Sequence, residues 1–214
     1  MELNLDIYPE RFGKTEIDTP ILFDLDDTLV TYNKKDRLKW DFYPYVTEWL
    51  NLHKGQKIII ISNKKNNDNA LREKISDILR ELRKIVIVDI FISTGVSWYR
   101  KPSPKIFVDK ILKPNTEYIF VGDAAGRGGD FSDSDRLFAY NANLAADEVG
   151  SSVTFMTPEN FFLGDNSKLP PVGLGVFKNR KYDPKKDRET VEKVARLIEK
   201  DKKSIYENLD NKNF

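Results

Sequence analysis

The chain has 214 residues, with 35 Lys and Arg against 34 Asp and Glu and a net charge of +1. It therefore has room for one substantial core and no global basic field to draw it onto nucleic acid, a role left to local patches. It has no Cys and a single His, His53, which excludes a disulfide framework, thiolate metal sites, a Cys nucleophile and any two-histidine metal centre.

The absence of Cys fits a reducing compartment. The N-terminus MELNLDIYPERFG is neither basic nor followed by an apolar stretch, and no segment approaches the length of a membrane span. These features predict an intracellular protein, nuclear or cytoplasmic, with no membrane partner. Residues 1–19 are of mixed polarity and read as an arm laid against the rest.

Ile21, Leu22 and Phe23 then predict a fully buried strand that stops abruptly at Asp24, Asp26 and Asp27. Carboxylates so close repel one another unless a cation or a proton is shared among them. Hard oxygen ligands on a short loop are what Mg²⁺ uses beside a substrate phosphate; a plain Asp-rich turn is the alternative. Residues 30–43 interleave Lys34, Lys35, Arg37 and Lys39 with Tyr32, Trp40, Phe42 and Tyr43. That pattern is either a surface that guides and stacks a nucleic-acid end or a β-hairpin with a solvated basic face.

Pro44 suits a first helical turn, and the helix runs to Lys54, with His53 in its last turn, before Gly55 ends it. KIIIIS at Lys57 to Ser62 predicts a second buried strand, and Asn69 to Lys84 an amphipathic helix with Leu71, Ile75, Ile78, Leu79 and Leu82 on one face. Ile85 to Ser93 is a third β-branched run, Ser103 and Pro104 open a short helix reaching about Leu112, and Tyr118 to Gly122 is a fourth strand.

The loop GDAAGRGGDFSDSDR follows, with Asp123, Asp130, Asp133 and Asp135. Its small residues allow close backbone approach to a ligand, and Asp123 can complete a metal site with the first cluster. Leu137 to Tyr140 is expected as a last short strand. After the turn-rich PPVGLGVF, Asp187 to Leu209 reads as a helix with Val191, Val194, Ile198 and Ile205 along a stripe. Strands alternating with helices predict an α/β fold with a mostly parallel sheet covered on both faces, whose site lies at the carboxyl ends of the strands.

FDLDDTL at Phe23 to Leu29 resembles the first motif of the haloacid dehalogenase superfamily of phosphohydrolases, an apolar strand followed by Asp, any residue, Asp, any residue, Thr. The resemblance implies a Rossmann-like three-layer fold, with Asp24 as the nucleophile that takes up the phosphoryl group and Asp26 as general acid and base. Residues two apart on an extended chain point the same way, so the two can flank one phosphorus atom. Ser62, at its strand end and followed by Asn63, matches the second motif; a hydroxyl there can bind a phosphoryl oxygen without adding charge. Lys101, just ahead of a helix, matches the third, a Lys that neutralises nucleophile and phosphoryl group. Only 37 residues separate Asp24 from Ser62, enough for a hairpin and a helix but not for a large cap domain, which predicts an open site.

YRKP at Tyr99 to Pro102, VGDAAGR at Val121 to Arg127, DFSDSDRLFAYN at Asp130 to Asn141 and TPENFF at Thr157 to Phe162 resemble the 3′-phosphatase domain of polynucleotide kinase 3′-phosphatases. The resemblance runs from about Pro20 to Leu163. It implies a Mg²⁺-dependent enzyme that removes 3′-phosphate from DNA ends (nick, gap or single strand) through an aspartyl-phosphate intermediate, with other DNA-repair proteins as candidate partners. The implied metal ligands are Asp24, Asp26 through its backbone carbonyl, and Asp123.

Ser62, Asn63 and Lys101 are expected on the phosphoryl oxygens and Thr28 among the substrate-binding residues. Asp130 and Asp135 are expected to support the metal's waters or Lys101. Lys64, Arg100 and Arg127 are candidates for DNA phosphates, with Trp98 or Tyr99 as a stacking platform. Three departures stand out: KKNNDNA after Asn63 lacks a Gly-rich pattern, two glycines replace the insert usual before DFS, and no GxxxxGK[ST] phosphate loop occurs, so no 5′-kinase activity is expected. The expected organisation is an N-terminal arm at 1–19, a phosphatase core at 20–164 and an extension at 165–214 packed on it, acting as a monomer. A phosphatase of the same superfamily acting on a small metabolite or a phosphoprotein is the alternative.

Overall fold

The computed structural model of the chain describes residues 19–33, 39–65, 67–95, 97–165 and 169. The expected N-terminal arm, the basic residues Lys34, Lys35 and Arg37 and the expected helix at 187–209 lie outside these. Five strands form one parallel sheet: β1 (Ile21–Phe23), β4 (Lys57–Lys64), β5 (Ile87–Thr94), β6 (Glu117–Val121) and β7 (Ser152–Met156), in the order β5-β4-β1-β6-β7. β2 (Val30–Tyr32) and β3 (Trp40–Phe42) pair antiparallel as a separate hairpin, Tyr32 opposite Trp40.

The middle strand is the most apolar because it is covered on every side. Ile21, Leu22 and Phe23 are all buried, and their alternation feeds two cores. On one face Phe23 meets α1 (Pro44–Leu52), α2 (Asn69–Leu82) and α5 (Pro158–Leu163) through Trp49, Ile75, Ile78, Phe161 and Phe162. On the other, Leu22 meets α3 (Lys105–Lys110) and α4 (Ser134–Asp147) through Phe107, Phe138 and Ala142. The result is the expected three-layer α/β fold. Between β1 and β4 the described residues hold only the hairpin and α1, and between β4 and β5 only α2, so among the described residues no large cap domain is inserted at the carboxyl ends.

Local chemistry sets the helix ends. Pro44 opens α1, and Gly55 follows its end at φ 82°, a conformation that favours glycine. The Asp68 side chain caps α2 by accepting from Leu71 N at 2.8 Å. α3 is shorter than expected, and Ser103 accepts from Lys105 N at 3.3 Å.

Leu137 to Tyr140 is not a strand. It lies inside α4, where Phe138 is fully buried and Tyr140 is exposed, and the next strand is β7. Neither β7 nor α5 follows from the sequence pattern. α5 is fixed by a capping box between Thr157 and Asn160 and by Gly164 at φ 68°. Its Phe161 and Phe162 rings close on Phe23 at 5.5 and 5.9 Å, worth about 1.5–3 kcal/mol of burial apiece.

Candidate active site

The chain runs from β1 to β4 and β5 on one side, then crosses to β6 and β7 on the other. The crevice where the strand order reverses lies at the carboxyl end of β1. Phe23 pairs with Ile60 and with Val121, so Asp24 stands just past the last paired residue of β1, with Ser62 two residues beyond Ile60 on β4, where it still pairs with Ile92 of β5, and Asp123 two beyond Val121, on strands that neighbour β1 at about 4.8 Å. Asp24 N donates to Val121 O at 2.8 Å, which ties the first residue of the loop to β6.

Lys101 is the centre of the charge arrangement. Its Nζ lies 2.5 Å from Asp24 Oδ1 and 2.6 Å from Asp135 Oδ1, in a position almost wholly buried. Asn63, at the end of β4, grips the Lys101 backbone from both sides, donating to its carbonyl at 2.9 Å and accepting from its N–H at 3.0 Å. The Asn63 carboxamide thus positions Lys101. Asn141 on α4 donates to Pro102 O at 2.9 Å, which fixes the next residue as well.

Asp24, Asp123 and Asp135 each place a carboxylate oxygen within 4.8 Å of the others. Burial pushes Asp24 up to about 7; Lys101 draws it down, while Asp135 and Asp26 push it further up. Burial pushes Asp123 up to about 8, reinforced by Asp135, Asp24 and Asp27. At Lys101 burial favours the neutral amine, but Asp135 and Asp24 overcome it and hold the ammonium above the ordinary lysine range. One ammonium faces three carboxylates, so the site has an excess of negative charge. This all-oxygen donor set fits a hard divalent cation.

Asp135 is therefore a member of the cluster itself, and its place follows from the α4 that sequence pattern misses. Its Oδ2 accepts from Ala124 N at 3.1 Å, and it packs on Gly122, where an added Cβ would meet that oxygen at 2.4 Å. Thr28, fully buried, accepts from Asp123 N at 3.1 Å and donates to Asp123 Oδ1 at 3.3 Å, so it holds a cluster member in place. Ser62 is 1% exposed, and its Oγ has no hydrogen-bond partner among the described residues. An unpaired buried hydroxyl costs about 1–3 kcal/mol, and this one lies two residues past Ile60, the partner of Phe23, and next in the chain to the Asn63 that grips Lys101.

Asp26 turns to different partners: Tyr32 OH donates to its Oδ1 and Lys64 Nζ to its Oδ2. Lys64 is itself buried, at 7% exposure, so the structure brings it to the acid–base candidate. Arg100 donates to Lys64 O at 2.9 Å. Arg127 is clamped inside its loop by Asp130 at 3.0 Å and Glu159 at 2.9 Å and donates to Asp123 O at 3.2 Å. Asp130 also accepts from Arg127 N and Ala125 N, so both residues of this pair shape the loop carrying Asp123. Trp98 is 57% exposed, whereas the Tyr99 hydroxyl is bound to Asp109. Tyr32, Asn141 and Glu159 are site-shaping residues that the sequence pattern does not single out, although Asn141 and Glu159 lie within the DFSDSDRLFAYN and TPENFF runs.

The buried Lys, the carboxylate cluster and the unpaired hydroxyl all lie in the stretch of chain that is similar to known proteins. Residues 20–162 match the family described as polynucleotide kinase 3 phosphatase. The chain belongs to that family. It thus carries a phosphatase domain built on an α/β sheet.

Similar proteins include an uncharacterized 20.8 kDa protein of Autographa californica nuclear polyhedrosis virus, 28% identical over 65% of this chain and 82% of the viral one. The polynucleotide 3′-phosphatase ZDP of Arabidopsis thaliana is 31% identical over 56% of this chain and 20% of its own length. A bifunctional polynucleotide phosphatase/kinase of Schizosaccharomyces pombe is 29% identical over 77% of this chain and 42% of its own. The chain thus spans less than half of these last two relatives. Among the described residues no helix is long and apolar enough to cross a membrane.

Proposed function

We propose that the chain is a Mg²⁺-dependent polynucleotide 3′-phosphatase that converts 3′-phosphate ends of DNA to 3′-hydroxyls, acting as a monomer. The observation that carries the reading is the buried Ser62 hydroxyl without a partner among the described residues, next in the chain to the Asn63 that grips Lys101, which in turn meets Asp24, in a chain of the polynucleotide kinase 3 phosphatase family. An anionic oxygen there would satisfy the hydroxyl and meet the Lys101 ammonium. The carboxyl end of the sheet, which no cap domain covers among the described residues, supports a polymer terminus as substrate.

In the first step an Asp24 carboxylate oxygen attacks phosphorus in line, the P–O3′ bond breaks, and the leaving 3′-oxygen takes a proton from Asp26. In the second, Asp26 takes a proton from water, whose oxygen attacks phosphorus and releases the Asp24 carboxylate and inorganic phosphate. Lys101 and Ser62 hold the phosphoryl oxygens as charge develops, with Asn63 holding Lys101. Asp24, Asp123 and the Asp26 carbonyl would hold Mg²⁺, with Asp135 beside them, and the bound ion would neutralise carboxylates and phosphate together. The sequence has no phosphate-loop motif, so the activity proposed for this chain is phosphate removal without 5′-phosphorylation.

The test is phosphate release from a nicked duplex bearing a 3′-phosphate, with Mg²⁺ or EDTA, against the same duplex bearing a 5′-phosphate. Metal-dependent loss of the 3′-phosphate alone is expected, with Asp24→Asn at least about 10³-fold slower and melting like the wild type. Turnover of small phosphoesters with none on DNA ends would replace the substrate, and retained activity in Asp24→Asn would sink the mechanism.

A further inference from the structure

Asp26 stands on the turn that joins β1 to the hairpin. Asp27 takes φ 56°, Asp27 N donates to Val30 O at 2.9 Å, and Leu25 O accepts from Leu29 and Val30 N–H. The chain thus doubles back, and β2 returns past the turn it has just left. Val30 and Tyr32 share one face of β2, and that face brings the Tyr32 phenol onto Asp26 Oδ1 while Lys64 from the end of β4 takes Oδ2. The ring is held from outside as well: the Lys74 ammonium of α2 lies 4.1 Å from its centroid, and Trp40 faces it across the hairpin.

We propose that Tyr32 is a positioning residue for this reaction: its phenol and the Lys64 ammonium hold the two oxygens of the Asp26 carboxylate, so that the hairpin sets where the acid–base group stands. The proposal rests on the mechanism above. The Asp26 side chain is 35% exposed, and without the two donors its carboxylate would rotate freely. Each carboxylate oxygen has two lone pairs, so the phenol can stay in place while the same carboxyl group serves the leaving oxygen. A displacement of about 1 Å in such a group costs on the order of a hundredfold in rate.

Tyr32→Phe removes only the hydroxyl. On a 3′-phosphorylated oligonucleotide it is expected to lower kcat about tenfold to a hundredfold, with KM within about twofold and an unchanged melting temperature. On p-nitrophenyl phosphate the burst of nitrophenolate is expected at the wild-type rate, since that leaving group needs no proton.

In an Asp26→Asn background, read under single turnover, Tyr32→Phe is expected to cost nothing further. Wild-type kcat in Tyr32→Phe, or a further loss on top of Asp26→Asn, would overturn the role. If Tyr32→Phe does not fold, Tyr32→His keeps a ring and a donor and enters the same cycle. Activity within about tenfold of wild type that vanishes as a separate effect in Asp26→Asn supports the role, and a separate loss overturns it. If the wild type ignores DNA ends but hydrolyses glycerol 2-phosphate, the substrate reading falls and the cycle is read on that ester. A wild type that hydrolyses no phosphomonoester overturns both.

Discussion

At the scale of single residues, the site is a competition between charges packed closer than water would allow. Lys101 meets Asp24 at 2.5 Å and Asp135 at 2.6 Å, and its place depends on how closely Asp135 can approach the sheet. Gly122 grants that approach, because any Cβ there would overlap the Asp135 carboxylate. Gly122→Ala is therefore expected to push Asp135 away, leave Lys101 on Asp24 alone and lower kcat at least about tenfold, with a smaller effect on melting; wild-type kcat would show that Asp135 is dispensable.

Asp24, Ser62 and Asp123 are legible in the sequence because an apolar strand ending in a polar residue is a local pattern, whereas Asp26 and Lys101 are legible through their place in the family motifs. The occupations of Lys64 and Arg127 are not, since a cation's sequence neighbours do not reveal a partner such as Asp26 or Glu159 folded in from 38 or 32 positions away.

At the scale of elements, the strands β1, β4, β5 and β6 and the helices α1 and α2 carry clear periods and fall within a few residues of expectation. α4 does not, for a physical reason. It buries Asp135, Leu137, Phe138, Ala139, Asn141, Ala142, Ala145 and Ala146, so it lacks a clean polar face, and LFAY alone fits a strand equally well. The two readings differ in side-chain direction: a strand would put Phe138 and Tyr140 on one face, whereas the helix buries the first and exposes 43% of the second. Ala142→Leu is accordingly expected to overpack the core that Ala142 shares with Phe107, Phe120 and Val153 and cost about 1–3 kcal/mol in urea unfolding, while Tyr140→Ala stays within about 0.5 kcal/mol. Equal effects would count against the helix.

At the scale of the whole molecule, the carboxylate cluster ties folding stability to pH and, on the proposed function, to metal. Asp24 at about 7 and Asp123 at about 8 both lie above the ordinary 3.8 of an aspartate. The folded chain therefore binds more protons than the unfolded one between those limits, and stability must fall as pH rises through that window. Glu159 and Glu81 lie below their ordinary 4.5; their contribution is lost only on the acid side, as pH falls, so the range from pH 5 to pH 8 isolates the cluster. In EDTA the melting temperature is expected to drop by at least about 10 °C across that range, the two shifts together corresponding to roughly 6 kcal/mol. On the proposed function Mg²⁺ would bind only the ionised, folded cluster, so a millimolar excess is expected to raise the melting temperature more at pH 8 than at pH 5 and flatten the slope. A flat profile in EDTA would mean that the three carboxylates are balanced without a cation, and a Mg²⁺ effect equal at both pH values would place the ion elsewhere.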